Sequence, residues 1–141
     1  MEDKDIVEQA DKVMKKLLRP ELKNGVPVFW RGGQNAVTTS QIRKFLTAVN
    51  TVTNKINIYN IKGDKKELSD DLAAEVKYLK VKVIYQAGKE KGNQHLIARF
   101  IEEADLINQI DNIGKDIAQY EKFAKYIEAL VAYHKFYGGK D

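Results

Sequence analysis

The chain has 141 residues, 43% of them hydrophobic and 31% charged, which is long and apolar enough for the core of one domain and too apolar for a disordered tail. It contains no cysteine, which excludes a disulfide framework and a thiolate metal site. The formal net charge of +4 and a sequence pI near 9.1 are mildly basic, a balance that many solvated proteins share.

The first residues, MEDKDIVEQADKVMKKLLRP, carry too many charges for a secretory leader. No apolar run approaches the roughly 18 residues of a membrane helix. The expectation is a soluble, cytoplasmic protein with no membrane partner. Within this segment Ile6, Ala10, Val13 and Leu17 recur at helical spacing, with Val7, Met14 and Leu18 beside them, and predict a helix over residues 4–18. Both prolines, Pro20 and Pro27, fall in the stretch RPELKNGVPVFWRGGQNAV, so residues 19–37 read as a loop-rich connection.

Thr38 and Gln41 then have the spacing of a capping box, and Ile42, Phe45, Leu46, Val49, Val52 and Ile56 continue one apolar face over a helix at 39–59. The charged turn KGDKKELSDD follows, offering Ser69 or Asp70 as the next N-cap. The segment LKVKVIYQAGKEKG, residues 79–92, alternates locally like a half-buried strand. Leu72, Val76, Leu79, Val83 and Ala87 nevertheless share one helical face over a length that ordinary strands do not reach, so residues 70–89 are assigned to a helix. Beyond Gly92 and Asn93, Leu96, Ile97, Phe100, Ala104, Ile107 and Ile110 predict a helix to Asn112, which Gly114 ends. Asp116 with Gln119 opens a last helix carrying Phe123, Ile127, Leu130 and Val131, stopped by Gly138 and Gly139. The sum is a compact all-α bundle of about five helices in a single helical domain over residues 1–141.

Charge is uneven along this frame. Between Lys77 and Arg99 the bases Lys77, Lys80, Lys82, Lys89, Lys91 and Arg99 face one acid, Glu90. At about 100° per residue, Lys77 and Lys80 lie beyond one edge of the apolar stripe, with Lys91 in line, and Lys82 and Lys89 lie beyond the other, next to Tyr78 and Tyr85. Such edges suit a phosphate backbone, with tyrosine rings as stacking surfaces. The alternative is that the lysines snorkel from a packed helix. Arg43 and Lys44 stand at the positive end of the second helix, where acids are the stabilising choice, and this placement favours an incoming anion.

Catalysis has little support. His95 and His134 are the only imidazoles, and neither has a second His at ligand spacing. His134, beside Leu130 and Val131, reads as a satisfied core histidine. Asp70–Asp71 and Glu102–Glu103 are adjacent pairs that diverge on a helix, so no metal site is expected, and no cofactor either.

The segments TTSQIRKFL, YLKVKVIYQAGKE and FAKYIEALVAYHKFYGGKD, in this order, resemble the small subunit of the type III-A CRISPR interference complex, the Csm complex. The resemblance covers most of residues 38–141, and VFWRGG has no counterpart in it. It implies a non-catalytic helical subunit, present in several copies beside other Csm subunits, that lines the crRNA-bearing backbone and contacts target RNA paired to the crRNA. It places Arg43, Lys44, Lys80 and Lys89 toward that channel and leaves Lys82 less secure. The residues themselves extend the candidate RNA-binding set to Lys77 and Lys91. The alternative function is a helical adaptor that binds only proteins.

Overall fold

The computed structural model describes residues 3–18, 22–23, 26–27, 37–90 and 95–137. Six helices lie among them: α1 (Asp3–Leu18), α2 (Thr39–Tyr59), α3 (Asp70–Lys89), α4 (Leu96–Glu103), α5 (Leu106–Asp111) and α6 (Ile117–Phe136). The expected all-α architecture is present. The one strand pairing among the described residues joins β1 (Leu22–Lys23) antiparallel to β2 (Val26–Pro27), inside the stretch read as a loop.

The helix starts follow local chemistry. Thr38 and Gln41 form the reciprocal capping box, with Gln41 N–H donating to Thr38 Oγ1 at 3.2 Å and Thr38 N–H to Gln41 Oε1 at 2.8 Å. Ser69 caps α3 through Leu72 N–H, and Asp116 caps α6 through Ala118 and Gln119 N–H.

The predicted helix from Leu96 to Asn112 is two helices. Asp105 adopts left-handed backbone, φ 56, and breaks it, while Ala104 and Leu106 on either side are fully buried. Burial of these flanking side chains, together with the Tyr126 hydroxyl donating to the Ala104 carbonyl at 2.9 Å, holds a conformation that a non-glycine residue adopts at a cost.

Helix α2 lies between α3 and α6 and runs antiparallel to both. Thr39 meets His134 and Thr53 meets Tyr120 along the α6 side. Lys55 meets Glu75 along the α3 side. Helix α1 packs on α6, and α4 and α5 close the bundle against α3. The buried residues form one cluster in which Phe45 and Phe123 meet edge to face at 6.4 Å.

Candidate nucleic-acid interface

The antiparallel pairing of α2 and α3 brings the start of one helix beside the end of the other. An open groove of about 360 Å³ runs between them, and its cationic lining is Lys44 from α2 with Lys82 and Lys89 from α3. All three side chains are exposed. Tyr85, 66% exposed, lies among them, and the Lys89 ammonium sits 5.9 Å from its ring centre. Gln41 and Gln86 add amide groups to the walls, and Phe45 and Ile97 form part of the floor.

One acid, Glu90, also lines the groove, but its carboxylate is engaged. Its two oxygens accept Leu96 N–H and Ile97 N–H, each at 2.9 Å. It thus serves the N-terminus of α4, where His95 stands at φ 51 without a side-chain cap. Sequence reasoning counted Glu90 only as a charge. Its capping role spans six and seven residues, so no local spacing rule reveals it.

The α2 end of the groove is fixed from behind. His134, 1% exposed, places Nε2 2.7 Å from the Val37 carbonyl and Nδ1 3.1 Å from Thr39 Oγ1. A carbonyl only accepts, so Nε2 carries the proton; with the ring neutral, Thr39 donates to Nδ1. The expected satisfied core histidine is therefore what the fold contains, and it ties the start of α2 to the end of α6. Deeper along the same helix pair, the Tyr120 hydroxyl donates to the Val49 carbonyl at 2.8 Å and lies 2.8 Å from Thr53 Oγ1. Burial pushes its pKa up to about 12, with the Thr53 contact opposing the shift.

The residues expected from sequence divide between sides. Lys44 and Lys89 meet in the groove, and Lys82 joins them. Arg43, one residue before Lys44 and exposed, is not among the lining side chains. Lys77 is exposed away from the groove. Lys80 is drawn the other way, to Asp111 of α5 at 2.6 Å. Lys91 lies outside the described residues. The signal for Lys82 was present in the sequence: Tyr78, Lys82, Tyr85 and Lys89 follow one another at spacings of four, three and four, a single helical stripe. Among the described residues no His, Cys, Asp or Glu cluster suited to a metal ion is formed, and no helix is long and apolar enough to cross a membrane.

Comparison with known proteins bears on the same segments. The family profile described as Csm2 Type III-A matches residues 31–140. The chain is 39% identical over 109 residues to the "CRISPR system Cms protein Csm2" of Streptococcus thermophilus, covering 77% of this chain and 79% of that protein. It is 38% identical over 105 residues to the protein of the same name from Enterococcus italicus, covering 73% and 69% of the two chains. With the Mycobacterium tuberculosis protein of that name the identity is 29% over 137 residues, covering 97% and 94%. The resemblance in its three sequence segments is thus matched by similarity over most of its length, and the chain belongs to the Csm2 family of type III-A CRISPR systems.

Proposed function

We propose that this protein is a non-catalytic, RNA-binding architectural subunit of a cytoplasmic type III-A Csm effector complex. In that role it stands in several copies beside other Csm subunits and holds target RNA paired to the crRNA. The observation that carries the reading is the convergence of Lys44, Lys82 and Lys89 from two antiparallel helices on one open groove. Three ammonium groups along a groove suit successive phosphates, and the one acid among them is already engaged by backbone N–H groups. Tyr85 offers a ring on which a base can stack, with Lys89 beside it. Arg43, exposed at the same end of α2, extends the positive field toward the approaching strand.

Phosphate contacts carry no base information, so binding through this groove is independent of sequence, and guide pairing supplies the specificity. The experiment is capture of target RNA by assembled complexes carrying Arg43→Glu with Lys44→Glu. Weakened capture with unchanged helical circular dichroism is expected. Unchanged capture at physiological salt would remove this end of the groove from the site, and a salt-insensitive interaction would favour the adaptor reading.

A further inference from the structure

The seam between α2 and α3 continues past Lys82. A second open cleft of about 370 Å³ extends it toward the turn joining the two helices, walled by Thr51 and Lys55 of α2 and by Glu75, Tyr78 and Lys82 of α3, so Lys82 belongs to both hollows. From Lys44 to Lys55 this track follows roughly 16 Å of helix axis, at about 1.5 Å per residue. Among the described residues Lys44, Lys82 and Lys89 enter no ion pair, whereas the Lys55 ammonium donates to Glu75 Oε1 at 2.9 Å. The Lys55 and Glu75 side chains stay 52% and 40% exposed, and a pair so open to water adds little to the fold.

The two acids along the seam are used differently. Both oxygens of Glu90 accept backbone N–H groups. Glu75 gives Oε1 to Lys55, while Oε2 is turned inward and accepts from no group among the described residues. It is the one buried side-chain nitrogen or oxygen of those residues left in that state. The nearby Thr51 hydroxyl donates to the Thr47 carbonyl at 3.1 Å instead. A surface ion pair accounts for the contact at Oε1. It gives no reason to keep, on a track of cations, a carboxylate that accepts at about four lone-pair positions and has most of them empty. The outer torsion of a glutamate is soft, so the group can turn either oxygen toward the cleft.

We infer that Glu75 reads the sugar of the target strand, accepting a ribose 2′-hydroxyl while Lys55 turns to an adjoining phosphate. Each nucleotide of RNA carries an anionic acceptor and an O–H donor, and a base beside an acid complements both. A strand without the hydroxyl brings phosphates alone; Glu75 then meets like charge and gains no hydrogen bond, which selects against that strand. The inference rests on the RNA reading above and adds to it a residue that chooses RNA over DNA.

The test compares the affinities of assembled effector complexes for two target strands of one sequence, one of RNA and one with 2′-fluoro sugars, which keep RNA-like helix geometry but have no hydroxyl to donate. Glu75→Ala should shrink the preference for RNA by about tenfold for each copy engaged, the effect of one hydrogen bond to a charged group. Glu75→Gln, which keeps an acceptor oxygen, should shrink it less. Lys55→Ala should weaken both strands alike. Incorporation of the subunit and its helical circular dichroism are checked for every variant. An incorporated Glu75→Ala complex with the parent's preference would overturn the inference, as would a Glu75→Gln complex no different from Glu75→Ala. Failure of the RNA reading has another signature: replacing Lys44, Lys82 and Lys89 would then leave capture of both strands unchanged.

Discussion

Lys80 donates to the Asp111 carboxylate at 2.6 Å, tying α3 to α5, while Lys82, two residues further on, opens into the groove shared with α2. The two lysines alternate in sequence like strand neighbours but serve opposite sides of a helix. Lys80→Glu should therefore leave the salt dependence of RNA capture intact. Its cost falls on stability, about 0.2–1 kcal/mol for a partly exposed pair. Lys82→Glu should lower the slope of log affinity against log salt by roughly 0.7 for each copy engaged. Equal losses from both substitutions would refute this division of faces.

Glu90→Ala removes the only side-chain acceptor for Leu96 and Ile97 N–H among the described residues. The expected destabilisation is roughly 0.5–2 kcal/mol, the range for losing a helix cap. Denaturant unfolding followed by circular dichroism checks it. Glu90→Gln, which keeps one acceptor oxygen, should lose less. A variant as stable as the parent would show that α4 does not depend on this carboxylate.

His134→Leu leaves the buried Val37 carbonyl and the Thr39 hydroxyl without their ring partner. The penalty should be about 1–3 kcal/mol, the cost of an unsatisfied buried polar group. Hydrogen exchange offers a sharper reading than global melting. Loss of protection should concentrate at the start of α2, and uniform loss across the bundle would contradict the anchoring role.

Tyr120 makes stability fall at high pH. Its folded pKa is raised by burial to about 12, above the ordinary value of 10.0, so the folded state holds the phenolic proton more tightly than the unfolded state. The associated stability is fully present below pH 10 and is lost as pH rises toward 12. Tyr120→Phe removes the titrating group and should flatten stability against pH in that window. Tyr126, also raised mainly by burial, contributes a loss of the same sign that remains in the variant. An unchanged slope in Tyr120→Phe would show that its hydroxyl ionises as readily in the fold as in the unfolded chain.

The parts of this fold legible in sequence are those governed by neighbours. The Thr38–Gln41 box, the Ser69 and Asp116 caps and the apolar periodicity of α2 and α3 all act within a few residues, and their helices begin and end where these signals stand. The break at Asp105 escaped because no glycine or proline marks it; burial of Ala104 and Leu106 and a hydrogen bond from Tyr126 impose it. The β1–β2 pairing is too short to leave a period. In the candidate site, helical geometry separated Lys80 from Lys82 and Lys89. It could not show which edge faces α2 and which meets Asp111, because that depends on how helices distant in sequence pack. The same reason hid Glu90 as a cap.

The central claim is that Lys44, Lys82 and Lys89 act together on the RNA backbone. It is tested most directly by measuring target-RNA affinity of the assembled complex across a salt series, with all three lysines replaced by alanine in every copy of this subunit. Each phosphate contact contributes roughly 0.7 to the log–log slope for a single strand, so losing three contacts per copy should reduce the slope by about two for each copy engaged. A slope and affinity indistinguishable from the parent complex, with the subunit still incorporated, would contradict the account.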